Sequence, residues 1–122
     1  MDFLYNEIVI GGESMFFKRK KESGAVNSEG ENIVRMHFVF YGQVQRVGFR
    51  FTAMQAAEHL GITGWVRNER NGTVTMEAQG PKKSIDEMIR ILQNDRYIRI
   101  TDYDAQAQRL NPVETEFIGL YS

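Results

Sequence analysis

Apolar and polar positions alternate in several short blocks of this chain, and two other blocks follow the period of a helix. The clearest alternation runs from Val34 to Phe40, with Arg35 and His37 on the polar side, and predicts a strand with one face in a core. Further runs of strand-forming residues predict strands at 62–67, 73–78, 97–106 and 115–121. Asn71-Gly72 favours a tight hairpin between the strands at 62–67 and 73–78.

The two helical blocks lie between the predicted strands. In the second block, Ile85, Met88, Ile89 and Leu92 fall on one stripe, and Pro81 suits the first turn of that helix. The first block covers 49–60 and ends before Gly61, a residue typical of helix ends. We expect the face of this helix that packs in the core to include Phe49 and a stripe that repeats every three residues: Phe51, Met54, Ala57 and Leu60.

The resulting order is βαββαβ with a short final strand. Helices with one apolar face and strands with alternating faces are accommodated most simply by an antiparallel sheet that carries both helices on one side. We therefore predict an α/β (α+β) sandwich of the ferredoxin-like type. This architecture hosts many activities, so the function has to be inferred from the site.

The regular pattern begins near residue 33, which divides the chain into an N-terminal extension, 1–32, and a domain, 33–122. The extension has several glycines, a polar stretch and no sustained periodicity after its first apolar residues, so we predict that it is flexible. Lys18–Lys21 is a run of four cations among six acidic residues. A solvated tail is the favoured interpretation, with a binding patch as the alternative.

Composition excludes several kinds of chemistry. Cysteine is absent, which removes disulfides, thiolate metal sites and cysteine nucleophiles. The formal net charge is -1, so no global basic field holds nucleic acid. No apolar run is long enough for a membrane span, and the acidic start of the chain does not resemble a signal peptide. We expect a cytoplasmic monomer without nucleic-acid or membrane partners.

The loop between the first strand and the first helix is the best place for a binding site. Gly42 and Gly48 bracket it, and the helix that follows directs its positive end toward it. Arg50 lies in the first helical turn and offers a fork of donors that matches phosphate oxygens. The same features also occur in loops with a purely structural role, and that alternative stays open on these residues alone.

Two motifs make a specific resemblance. The segment 42–50, GQVQRVGFR, resembles the acylphosphatase motif G-x-V-Q-G-V-x-[FY]-R. Gly64–Asn68, GWVRN, with Asn71-Gly72 after it, resembles the second motif of that family, G-W-V-x-N. The similarity covers about residues 34 to 121. It implies a hydrolase that cleaves the carboxyl-phosphate anhydride of small acyl phosphates, with no cofactor and no metal.

The resemblance also implies the site residues. By position, Arg50 and the loop amides would hold the phosphate, and Asn68 would orient the attacking water. The amides would come from the segment of Gln45, Arg46, Val47 and Gly48. Asparagine is also common at strand ends, where it caps local amides, so Asn68 has a structural alternative.

One position departs from the family motif, because Arg46 stands where glycine is usual. If its φ is positive, the residue costs about 1 to 2 kcal/mol of backbone strain, which can tilt the loop amides away from the phosphate. If its φ is negative, the side chain points to solvent or adds a second charge beside the phosphate, which is the favoured alternative. The alternative function is a catalytically impaired, acylphosphatase-like module that binds anions.

Other candidate groups have simpler interpretations. We expect His37 and His59 to have surface or core roles, since neither has a second ligand at metal spacing. Trp65 is expected to pack between helix and sheet rather than to bind a ligand. Asp102 and Asp104 share one strand face, which we interpret as solvated. RNA binding through the sheet is disfavoured, because the domain carries 11 basic and 10 acidic residues.

Overall fold

Seven strands and two helices form within the residues that the computed structural model describes, which are 3–10, 13–20 and 30–121. The strands are β1 Phe3–Ile10, β2 Glu13–Lys20, β3 Ile33–Gln43, β4 Thr63–Asn68, β5 Val74–Pro81, β6 Arg99–Gln108 and β7 Phe117–Leu120. The helices are α1 Phe49–Leu60 and α2 Lys82–Gln93. From β3 onward, the order confirms the predicted βαββαβ pattern with a short final strand.

The five strands β3 to β7 form one sheet in the order β6-β3-β5-β4-β7. The pairs β6–β3, β3–β5 and β5–β4 are antiparallel, while β7 lies parallel to β4. The prediction of a ferredoxin-like sandwich is confirmed, but the expectation of a wholly antiparallel sheet is wrong at this edge. The chain reaches β7 by crossing the sheet from β6 at the opposite edge, and β7 then runs in the same direction as β4.

Both helices contribute to one core against the sheet. Its largest fully buried side chains are Phe40, Phe49, Met76, Met88 and Leu92. In α2, the predicted stripe is the buried face. In α1, the buried residues are Phe49, Ala53, Ala56 and Ala57. Phe51 is 68% exposed and Met54 is 40% exposed, so assigning these two residues to the core was wrong. Small alanines let α1 approach the sheet, while the larger apolar side chains project beside it.

The helix ends follow local chemistry. Gly61 ends α1 in the left-handed conformation with φ 70°, as its sequence position predicts. Pro81 is both the last residue of β5 and the N-cap of α2, so it lies one residue before the first turn in which the sequence placed it. Each helix has 12 residues, and neither helix of the described region has the length and apolar character that a membrane span requires.

The segment 109–116 connects the two edges of the sheet, from β6 to β7, over the face opposite the helices. Two contacts fix it to the central strands. Arg35 of β3 binds the carboxylate of Glu114 through Nη1 at 2.8 Å and Nη2 at 3.1 Å. On β5, Gln79 exchanges two hydrogen bonds with the backbone of Asn111. These contacts hold the segment that leads to β7 against the central strands.

Within the N-terminal extension, β1 and β2 pair antiparallel as a separate two-stranded sheet, from Phe3 opposite Lys20 to Ile10 opposite Glu13. The irregular sequence pattern did not predict these strands. Lys18, Arg19 and Lys20 belong to β2, and Lys21 lies outside the described residues. The flexibility of the extension and its boundary at residue 32 stay predictions.

Candidate functional site

A cleft of about 350 Å³ opens at the N-terminus of α1. Four of the residues that line it were singled out from the sequence: Arg46, Gly48, Arg50 and Asn68. The other lining residues are Val44, Phe49, Phe51, Met54, Gly119 and Tyr121. The structure therefore brings the arginine and the asparagine of the two motifs to one place.

The loop reaches the helix through a left-handed glycine. Gly48 has φ 81° and is the N-cap of α1, and its carbonyl accepts the hydrogen bond from the amide of Thr52 at 2.9 Å. The amides of a first helical turn have no partner within the helix and carry its positive end. The first turn of α1 holds no acidic side chain that would neutralise this end. The cleft thus lies where an anion is favoured.

Arg46 adopts φ 62° and is the non-glycine residue with positive φ in the described part of the chain. Of the two alternatives that the sequence left open, the strained one is found. An arginine in this conformation costs about 1 to 2 kcal/mol relative to glycine. The residue is exposed and is one of those that line the cleft.

Gln45 and Val47 are not among the residues that line the cleft, and their side chains make contacts away from it. The Gln45 Nε2 group donates to the backbone carbonyls of Glu69, at 2.6 Å, and Thr73, at 2.9 Å. Val47 packs against the core. These contacts tie the loop to the β4–β5 turn and to the interior. The prediction that Gln45 and Val47 bind substrate therefore concerns their backbone amides, and it stays a prediction.

Arg50 is held by the end of β7. Its Nη1 group donates to the carbonyl of Leu120 at 3.1 Å, and its Cζ atom lies 4.4 Å from the centre of the Tyr121 ring. Sequence reasoning did not identify Leu120 or Tyr121. The only local signal was an aromatic residue at the end of the final predicted strand, and the neighbours of that strand could not be deduced locally.

Asn68 ends β4, and a glycine of the same motif fixes that strand against β5. Gly64 has φ 143°, and a Cβ atom there would lie 1.9 Å from the carbonyl oxygen of Glu77. Only glycine permits this close approach of the two backbones. The motif glycine thus has a packing role that places Asn68 at the cleft.

The outer sheet face carries several of the remaining candidate groups. Trp65 lies on this face rather than between helix and sheet, because its neighbours Gly64 and Val66 take the buried positions. Its ring meets that of His37 edge to face at 6.2 Å and the guanidinium of Arg67 at 5.1 Å. The expectation that Trp65 packs under a helix was therefore wrong.

Arg35 is a buried cation on the same outer face. Its Nε group donates to Glu77 at 2.9 Å, in addition to the paired contacts with Glu114. Burial would lower the pKa of Arg35, but the two carboxylates outweigh this effect and raise it. His37 Nδ1 lies 2.7 Å from the second carboxylate oxygen of Glu77. This cluster was not predicted from the sequence.

No group of three His, Asp, Glu or Cys side chains suited to a metal ion occurs among the described residues. Asp102 and Asp104 are both exposed on β6, and Asp104 accepts a hydrogen bond from the hydroxyl of Tyr41 at 2.9 Å. His59 is exposed in the last turn of α1. None of these side chains lines the cleft.

The sequence matches the family model described as Acylphosphatase over residues 36–118. It is 31% identical over 88 residues to the acylphosphatase of Geobacillus thermodenitrificans, an alignment that covers 71% of this chain and 94% of that protein. It is 44% identical over 61 residues to the acylphosphatase of Bifidobacterium longum, covering 50% of this chain and 63% of that protein.

The fold is also similar to a solved structure. The crystal structure of acylphosphatase from Bacillus subtilis superposes with a TM-score of 0.67 at 26% sequence identity, covering 72% of this chain and 99% of that one. The superposition, like the family match, concerns the domain and not the whole chain.

Proposed function

The chain belongs to the acylphosphatase family, and we propose that it hydrolyses the carboxyl-phosphate anhydride of small acyl phosphates to carboxylate and phosphate at the cleft of Arg50 and Asn68. The observation that carries this proposal is that both side chains line one cleft at a helix N-terminus. The comparisons with known acylphosphatases do not favour the impaired anion-binding module.

Phosphate binding is assigned to Arg50 and to the loop. The guanidinium carries a permanent charge and a planar fork of donors, which suits the oxygens of a phosphate group. Amides from 45–48 and the positive end of α1 would add donors at the same place. Phosphoryl transfer depends mainly on positioning and on stabilising charge, and these groups supply both.

Water activation is assigned to Asn68. The Oδ1 atom of its carboxamide is buried, which leaves the Nδ2 group to donate a hydrogen bond to a water molecule or a phosphate oxygen at the cleft, and the carboxamide cannot take a proton near pH 7. The described residues that line the cleft include no His, Asp or Glu. The proton of the attacking water therefore goes to a non-bridging phosphate oxygen of the substrate.

The bond that breaks is the one between phosphorus and the bridging oxygen of the anhydride. Water supplies the new oxygen on phosphorus, and the electron pair of the broken bond leaves with the carboxylate. A carboxylate is a good leaving group, so no acid is needed to protonate the departing oxygen. The reaction thus requires neither a metal nor a cofactor in this scheme.

The central test is hydrolysis of acetyl phosphate without added metal. Arg50→Ala is expected to lower kcat/KM at least 10²- to 10³-fold, roughly the loss of one preorganised donor. Asn68→Ala is expected to lower kcat with less effect on KM. Arg70→Ala changes an exposed arginine outside this cleft and serves as the control. Circular dichroism verifies folding, and near-native turnover by a folded Arg50→Ala protein contradicts the assignment.

The pH profile tests the proton path. Without a protein base, kcat should be nearly flat wherever the ionisation of the substrate is unchanged. The substrate-assisted scheme would be contradicted by a bell-shaped dependence of kcat on pH that disappears in the His37→Gln or His59→Gln variant. A cytoplasmic location and a monomeric state remain part of the proposal.

A further inference from the structure

Arg46 combines a strained backbone with a position on the cleft. Its φ of 62° lies in the left-handed region, where glycine has no steric cost and a long side chain has one. Its exposed side chain lines the same cleft as Arg50 and Asn68. Strain at a residue that faces a binding cleft is a reason to look for a functional contact.

The charge of Arg46 has no partner within the described part of the protein. No ion pair or hydrogen bond joins its guanidinium to residues 30–121, whereas Arg35 and Arg67 both have carboxylate partners. The residues that line the cleft in this region include no acidic side chain. A cation with these surroundings is available to an anionic ligand.

The guanidinium of Arg50 already makes two contacts within the protein. One of the five donors of its guanidinium binds the carbonyl of Leu120, and one face of the group is covered by the ring of Tyr121. A phosphate dianion carries more charge than one such guanidinium neutralises. The arrangement therefore leaves room for a second cation at the same cleft.

We propose that the side chain of Arg46 is a second phosphate-binding cation, so that the substrate dianion is held between Arg46 and Arg50. The proposal rests on the proposed function, which it extends from the loop backbone to this side chain. The class of ligand is a phosphate monoanion or dianion, either free or as the phosphoryl group of an acyl phosphate.

A charge at the rim of a cleft attracts the bound substrate and the transition state to a similar extent. Interactions of that kind lower KM and leave kcat little changed. The same residue destabilises the folded protein through its backbone conformation. Arg46 should therefore show a trade-off in which one substitution weakens ligand binding and strengthens the fold.

The experiment measures inorganic phosphate binding by calorimetry, acetyl phosphate kinetics at two salt concentrations, and thermal unfolding. Arg46→Gly is expected to raise the Kd for phosphate and the KM for acetyl phosphate by about 3- to 10-fold, as for an exposed charged contact. It should also raise Tm and reduce the salt dependence of KM. Arg46→Lys should recover part of the affinity, and Arg46→Gln should not.

Arg109→Gln is the control, because it removes one exposed positive charge outside the cleft. It should leave phosphate affinity unchanged. A large rise in kcat for Arg46→Gly, or a phosphate Kd that Arg46→Gln leaves unchanged, overturns the proposal. If the native protein binds phosphate through Arg46 but does not hydrolyse acetyl phosphate, the proposed function fails while this inference stands.

Discussion

The ring of Tyr121 covers the guanidinium of Arg50, with 4.4 Å between the Cζ atom and the ring centre, while the neighbouring Leu120 accepts a hydrogen bond from the same group at 3.1 Å. Arg50 lies in the first turn of α1, and its two partners lie at and just after the end of β7. The orientation of the proposed phosphate-binding side chain thus depends on a strand far away in the sequence.

We expect Tyr121→Ala to lower kcat/KM for acetyl phosphate about 2- to 5-fold, because an exposed cation–π contact contributes about 0.5 to 1 kcal/mol. Tyr121→Phe keeps the ring face and should remain within about twofold of the native protein on the same reasoning. Steady-state kinetics under identical salt conditions measures both effects.

Tyr97 provides a matched control for this experiment. It is 66% exposed and packs against Arg96 at 5.7 Å, outside the cleft. Tyr97→Ala should therefore leave the kinetics unchanged. A phenylalanine variant as impaired as the alanine variant would mean that the hydroxyl, rather than the ring face, is what acts on Arg50.

Gln45→Glu tests the connection between the loop and the β4–β5 turn. The exchange keeps the shape of the side chain but replaces the Nε2 donor by an oxygen that faces the carbonyls of Glu69 and Thr73. We expect a loss of about 1 to 3 kcal/mol in the free energy of unfolding and a lower kcat/KM. Gln43→Glu, at an exposed glutamine, should change neither quantity. Equal stability of the two variants would contradict this role.

Glu114→Gln tests how the 109–116 segment is fixed. The Glu114 carboxylate pairs with Arg35, whose side chain is only 6% exposed, so the amide leaves a buried cation with fewer acceptors. We expect the free energy of unfolding, measured in urea, to fall by about 1.5 to 3 kcal/mol. Glu116→Gln changes an exposed carboxylate of the same segment and should have little effect.

Glu77 should make stability depend on pH in the acid range. Burial opposes its charge, but His37 and Arg35 outweigh burial and lower the pKa of the carboxyl below its ordinary value of 4.5. The unfolded chain therefore binds the proton more readily, and the stabilisation is present above about pH 4.5 and lost as the pH falls through the lower folded-state pKa.

Urea unfolding of the native protein and Glu77→Gln between pH 3 and 6 checks this expectation. The difference in stability between the two proteins should be largest at pH 6 and should narrow toward pH 3. The exposed Glu58→Gln provides the comparison. A difference that grows on acidification would show that the sign of the linkage is reversed.

Most of the domain fold could be predicted, because its elements have local signals. The alternation of β3 and the apolar stripe of α2 each identify one element and one buried face. The buried face of α1 was harder, since Phe51 and Met54 are more hydrophobic than the alanines that pack against the sheet. The parallel pairing of β7 depends on where a crossing segment is fixed, and no local pattern contains that information.

The candidate site was predictable only where motifs mark it. Arg50 was indicated by its place in the first helical turn and Asn68 only by the resemblance, and the structure places both on one cleft. The role of Tyr121 was not predictable, because it depends on pairing between β4 and β7. The positive φ of Arg46 could not be determined either, since the glycine usual at this motif position left both signs of φ open and an arginine does not itself favour a left-handed conformation.

The route of segment 109–116 from one sheet edge to the other has a consequence for folding. Because β7 docks through contacts between residues distant in sequence, it should assemble late and open early, and the chain should fold more slowly than one with mainly local contacts. Hydrogen exchange should therefore detect β7 opening below the global unfolding free energy. A loss of activity would then indicate that this edge of the sheet has opened before unfolding of the core can be detected.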